Sequence, residues 1–101
     1  RLAAILEGVA ARLGGPSPRE ALARVRIEMG QLGAGYGAPS QASREAAATL
    51  GRLEALTLEQ TYVAKTFAGL MALVRDGVIP RDEAACVFHT GGGPAFFEQT
   101  G

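Results

Sequence analysis

The residues best suited to chemistry lie in one short stretch, Cys86-Val87-Phe88-His89-Thr90-Gly91-Gly92-Gly93-Pro94-Ala95-Phe96-Phe97. An imidazole and a hydroxyl meet three glycines, then a proline and aromatics. Glycines let the backbone turn sharply and approach a ligand with no Cβ in the way. Pro94, with a fixed φ and no N–H, suits the first turn of a following helix. Ala85 to Phe88 is too short and too cleanly bounded for a helix and reads as a buried strand. Ligands of open α/β sheets sit beyond the carboxyl ends of strands, so His89, Thr90 and Gly91 to Gly93 are where a ligand is expected. On pattern alone, a plain glycine turn closing a core strand is the better reading. His89 reads as a hydrogen-bonded residue at the strand end rather than a base. Cys86 reads as a buried strand residue, the usual fate of a free cysteine.

Two further side chains stand out. Gly30 to Pro39 carries four glycines in eight residues, with Tyr36 as its one large side chain. A tyrosine between two glycines either packs as an anchor or presents its hydroxyl to a site, and the sequence favours neither. The Gly33 to Gly37 spacing is a poor match to a dinucleotide fingerprint. Lys65 is the only lysine and falls near the start of an apolar helix, where burial is costly unless the charge is paired. It reads as a functional amine, an ion-pair partner or a snorkelling side chain.

The elements that must position these groups alternate in type. Arg1 to Leu13 is an amphipathic helix with Leu2, Ile5, Leu6, Val9, Ala10 and Leu13 on one stripe, stopped by Gly14-Gly15-Pro16. Pro18 to Ala23 is a short helical turn that Ser17 can cap. Arg24 to Glu28 alternates polar and apolar, as a half-exposed strand does. Ser40 caps a helix reaching about Leu53, and Ala55 to Leu58 is an extended link or a short strand. Thr61 to Asp76 is the strongest helix, apolar over much of its circumference and expected to be largely buried. Its Gly69 permits close contact with a neighbour. Val78 to Glu83 is a surface turn into the strand at Ala85. The class is α/β, with helices packed on a few mainly parallel strands. So small a sheet would leave open edges, which implies a missing partner portion or self-association. Arg1 in place of a methionine, with helical periodicity from the outset, likewise suggests a piece of a larger protein.

Composition narrows the function. The 101 residues hold ten basic and ten acidic side chains, so there is no electrostatic footprint for nucleic acid or an anionic membrane. One cysteine excludes an intrachain disulfide framework and fits a reducing compartment. One Cys and one His cannot build a four-ligand zinc site. With no signal peptide and no long charge-free apolar run, a cytoplasmic protein is expected.

Two strings are specific enough to carry a family resemblance. One runs from Glu54 through Glu59-Gln60-Thr61-Tyr62-Val63-Ala64-Lys65 to Leu70, and the other from Val87 through His89-Thr90-Gly91-Gly92-Gly93-Pro94 to Phe97. With Gly35-Tyr36-Gly37-Ala38-Pro39-Ser40 ahead of them, they resemble the C-terminal part of the D-cysteine desulfhydrase / 1-aminocyclopropane-1-carboxylate deaminase family. Its members are pyridoxal-phosphate enzymes of the tryptophan synthase β-subunit-like fold. Order and spacing agree from about Arg24 to Phe97. The resemblance implies that Tyr62 and Tyr36 are catalytic phenols beside the substrate. It implies that Thr90 faces the pyridine nitrogen, with His89, Gly91 and Gly92 completing the cofactor wall. It also implies that residues 1–101 form one C-terminal segment of a lyase or deaminase acting on a small amino acid, inactive alone. The Schiff-base lysine and phosphate loop would lie in the remaining N-terminal part, and a homodimer is expected. Lys65 matches a family lysine other than the Schiff-base one. The chain departs from the family at Gln60, Val63 and Ala64, where proline, threonine or glutamate, and glycine are usual. Val63 can neither donate nor accept a hydrogen bond where the family has a polar side chain facing the cofactor or substrate. The alternative is a non-catalytic module that self-associates through its apolar helix. A small phosphate or nucleotide binder ranks last, because neither glycine loop has the required spacing or lysine.

Overall fold

The helices at Pro18–Ala23 and Gln41–Glu54 start on side chains that satisfy the backbone. The structure is a computed structural model that describes residues 1–100. α1 (Leu2–Leu13) ends at Gly14, whose N–H donates to Ala10 O. α2 (Pro18–Ala23) opens on a capping box, in which Ser17 Oγ accepts from Glu20 N–H and the Glu20 carboxylate accepts from Ser17 N–H. α3 (Gln41–Glu54) opens on a second box, with Ser40 and Ser43 exchanging bonds of 3.0 and 2.9 Å. Both caps stand where the sequence places them, and each satisfies N–H groups that a helix start leaves free. α3 closes through Ala55 in the left-handed region (φ 55), while Leu56 N–H reaches back to Leu50 O. α4 (Val63–Arg75) and α5 (Gly93–Thr100) follow.

The core lies between α3 and α4. Ala46, Leu58, Val63, Ala64 and Ala68 are buried, and Ala47, Leu50 and Phe67 pack against the Leu58–Val63–Ala64 cluster. The small residues at positions 43, 46 and 47 share one face of α3, and 64 and 68 share one face of α4. That spacing lets the two helices approach closely. Ser43 Oγ also donates to Gln60 Oε1 at 2.6 Å, tying the start of α3 to the entry of α4. α4 is buried at Val63, Ala64, Ala68 and Gly69, with much of the rest half-buried, so it is less enclosed than its composition suggests. Gly69 lies against Gln31, where an added Cβ would be 3.5 Å from Gln31 Cγ.

The expected α/β architecture is not what the chain forms. Among the described residues there is no strand. Residues 24–28 and 85–88 lie outside helices as expected, but neither pairs with a second strand, and a lone extended segment has no ladder to satisfy its N–H and C=O groups. Their apolar side chains stay in water: Val25 is 45%, Ile27 73% and Phe88 84% exposed. Cys86, expected in a core strand, is exposed. α1 packs on α2 rather than on the α3–α4 pair, which leaves Ile5, Val9 and Leu13 exposed. The radius of gyration is 16.1 Å, against about 13 Å for a compact domain of 100 residues.

Candidate functional site

The site begins at the entry of α4. Glu59 is 3% exposed, and its carboxylate accepts three backbone N–H bonds, from Thr61 (2.6 Å), Tyr62 (2.9 Å) and Val63 (2.7 Å). An anion at a helix N-terminus meets both free donors and the positive end of the helix dipole. Burial pushes the Glu59 carboxyl up, but the N–H groups of Val63, Tyr62 and Thr61 and the Thr61 hydroxyl outweigh it and hold the carboxyl below 4.5. This fixes the backbone of Tyr62, the N-cap of α4, with its ring exposed.

Tyr36 comes to the same place from the glycine loop. The two rings meet edge to face, with centroids 5.7 Å apart and planes at 69°. A side-chain hydrogen bond with Tyr36 is the main reason the Tyr62 phenol is held above its usual 10.0, followed by partial removal from water and by the neighbouring Tyr36 and Glu59. Tyr62 therefore stays protonated well above neutral pH. The Tyr36 loop is held by Lys65, whose Nζ donates to Leu32 O and Gly35 O, both at 2.9 Å. Lys65 is thus neither ion-paired nor simply snorkelling.

The tyrosines open onto a groove of about 780 Å³ bordered by Gln31 and Leu32, by the first turns of α4, and by Cys86 to Phe88 and Thr90. That volume falls within the range of small-molecule sites. The structure thus brings Tyr36, Tyr62 and Thr90 to one groove. His89, Gly91 and Gly92 lie behind it. His89 Nε2 lies 3.0 Å from Thr57 O, and Gly91 N–H donates to His89 Nδ1 at 3.1 Å. These partners require Nδ1 to accept, which places the proton of the neutral ring on Nε2. His89 is then a strap between the residue 89–92 loop and the link after α3. Gly92, at φ 87, backs directly onto Glu59, and an added Cβ would fall inside that side chain. Its small size serves packing here. Val63 turns into the core, 1% exposed, and does not border the groove.

The group that sequence reasoning missed is Glu59. An acidic residue just ahead of a strongly apolar helix is a start signal. The spacing alone does not show that it supports both Tyr62 and the Gly92 loop.

Comparison with known proteins finds partial matches that support the same family resemblance. A 1-aminocyclopropane-1-carboxylate deaminase of Allorhizobium ampelinum is 35% identical over 60 residues, 59% of this chain and 18% of that protein. One from a Methylobacterium species is 38% identical over 60 residues, with the same shares. Over those 60 residues the chain is similar to 1-aminocyclopropane-1-carboxylate deaminases. The match spans less than a fifth of the length of these curated relatives. No protein-family model matches the chain. No described helix is long and apolar enough to cross a membrane, and no three described His, Cys, Asp or Glu residues are grouped to hold a metal.

Proposed function

We propose that residues 1–101 are the C-terminal portion of a cytoplasmic pyridoxal-phosphate lyase or deaminase of the 1-aminocyclopropane-1-carboxylate deaminase or D-cysteine desulfhydrase kind, acting on a small amino acid. The observation that carries the reading is the Tyr36–Tyr62 phenol pair on the wall of a groove that Thr90 also borders. The residues present suit one part of the cofactor. The groove has room for a planar ring, its walls are largely apolar, and Thr90 supplies an uncharged hydroxyl at its rim. Lys65 is committed to two carbonyls, so the covalent anchor and the phosphate cradle are assigned to the rest of the enzyme.

In this reading Thr90 hydrogen-bonds the pyridine nitrogen, and the strap through His89, Gly91 and Gly92 keeps Thr90 at the rim. When bound, the cofactor supplies an electron sink for charge developing at the substrate α-carbon. Tyr62, protonated at neutral pH, donates to a substrate carboxylate or delivers a proton to carbon, and Tyr36 shares and returns that proton. The parent is a homodimer, and the 101-residue chain is inactive alone.

The test is the product of the whole gene. It should bind pyridoxal phosphate with visible absorbance and release ammonia from 1-aminocyclopropane-1-carboxylate or D-cysteine, while the isolated chain releases none. A whole-gene product that neither carries nor takes up the cofactor would end the proposal. The exposed stripe of Ile5, Val9 and Leu13 on α1 favours a second reading, a self-associating module without cofactor. Light scattering separates the two, because a stable monomer argues against the module.

A further inference from the structure

Tyr36 poses a physical problem. It is 84% exposed, so burial does not hold it, and its loop is built from residues that resist ordering. Gly33, Gly35 and Gly37 all have positive φ, and glycine loses more freedom on ordering than any other residue. The short-range hydrogen bond described in this loop is a long one, Ala38 N–H to Gly35 O at 3.3 Å. Yet the ring arrives edge-on to Tyr62. Something outside the loop must fix it.

We propose that Lys65 is a positioning residue whose ammonium gathers the Leu32 and Gly35 carbonyls and so sets Tyr36 against Tyr62. Lys65 follows Tyr62 by three positions, which places both on one side of the α4 entry. Its Nζ spans the loop by bonding Leu32 O before Gly33 and Gly35 O just ahead of Tyr36, each at 2.9 Å. A cation facing two carbonyl dipoles makes charge-assisted bonds, roughly twice as strong as neutral ones. Gly33 leaves room for it, since even an added Cβ there would be 4.0 Å from Nζ. The two phenols are then positioned from opposite sides, Tyr62 by the Glu59 carboxylate beneath its backbone and Tyr36 by the Lys65 ammonium beneath its loop. That the pair so positioned is catalytic rests on the function proposed above. The positioning itself does not.

The experiment reads the phenols directly, in the full 101-residue chain with ring-labelled tyrosine. The chain has two tyrosines and one lysine, so each signal is assigned by a single substitution. In the parent, a ring-to-ring Overhauser effect is expected and Tyr62 titrates above its ordinary value. Lys65→Met, which keeps the stem and removes the donors, should lose the Overhauser effect and bring the Tyr62 titration down as far as Tyr36→Phe does. The double variant should match Tyr36→Phe alone, and Lys65→Arg should retain the pair. A Lys65→Met chain with the parent's Tyr62 titration and Overhauser effect overturns the proposal, as does a double variant that shifts further than Tyr36→Phe. If Lys65→Met does not fold, the unmodified chain decides. The single lysine ammonium, observed by nitrogen-15 resonance, should exchange with water at least about tenfold more slowly than a free lysine. Exchange at the free rate refutes the clamp. A positive result here, with no cofactor bound by the whole-gene product, would retain Lys65's role and discard the enzymatic reading.

Discussion

Glu59 offers the sharpest test of how the site is held together. Replacing it with alanine removes the acceptor for three N–H groups at once. Tyr62 is exposed, so its N–H can turn to water, and Thr61 is half-buried. Val63 is 1% exposed, so its N–H loses a partner it cannot replace. Leaving one buried donor unpaired costs about 1–3 kcal/mol, and loss of a helix cap costs about 1 kcal/mol. Glu59→Ala should therefore destabilise the chain by roughly 2–4 kcal/mol, or about 10–25 °C in Tm for a domain of this size. Glu59→Gln keeps one acceptor oxygen and should lose about half as much. The effect of pH follows from the direction of the shift. The folded carboxyl lies below 4.5, so its stabilisation is complete above the unfolded value and is lost as pH falls through the folded one. Stability should decline on acidification below about pH 4.5, and Glu59→Gln should flatten that decline. Glu20, lowered by its Ser17 bonds, contributes in the same direction, and Glu20→Gln serves as the control. Thermal unfolding followed by far-ultraviolet circular dichroism between pH 3 and 7 measures both effects. The reasoning is refuted if Glu59→Ala falls within about 0.5 kcal/mol of the parent, the scatter of ordinary surface changes, or if Glu59→Gln keeps the parent's full acid dependence.

Three other substitutions probe the surrounding frame. Gly92→Ala should cost about 1–2 kcal/mol from its positive φ alone, and more from overlap with Glu59, read as a lower Tm. His89→Ala should free the residue 89–92 loop, so that the Gly91 amide exchanges with deuterium about fivefold faster, the equivalent of one lost hydrogen bond of about 1 kcal/mol. Ala55→Gly should stabilise the chain by about 1 kcal/mol, because Ala55 closes α3 in a conformation that costs an alanine about that much. A chemical denaturation midpoint that moves down instead would contradict it.

The helices were legible because their signals are local. Ser17 with Glu20, Ser40 ahead of the alanine-rich stretch, and Gly14 after Leu13 each act within one turn, and the structure has caps at those positions. The strands were not, because a strand is defined by its partner. Val25-Arg26-Ile27 and Cys86-Val87-Phe88 carry the composition of strands, but composition cannot supply the second backbone that would pair with them. They remain as exposed apolar segments, and Phe88 and Ile27 lie farther into water than their hydropathy suggests.

The site divides along the same line. Tyr36 and Tyr62 are 26 positions apart, and no periodicity links a glycine loop to a helix start, so the family strings alone paired them. Their contact depends on two charged residues whose roles are long-range in effect. Lys65 read as a functional amine, an ion-pair partner or a snorkelling side chain, because a buried cation is costly unless paired. Backbone carbonyls can answer the same need wherever glycines allow the chain to turn them inward, and the sequence does not record which way a carbonyl points. Glu59 read as one letter of a motif. It bonds to the start of α4 on one side and supports Gly92 on the other. A single carboxylate therefore sets the distance between the Tyr62 wall of the groove and the loop that carries Thr90. On this view the departures at Gln60 and Val63 fall on the core side of the α4 entry, where Gln60 bonds Ser43 and Val63 packs with Leu58. Tyr36, Tyr62 and Thr90, by contrast, all border the groove.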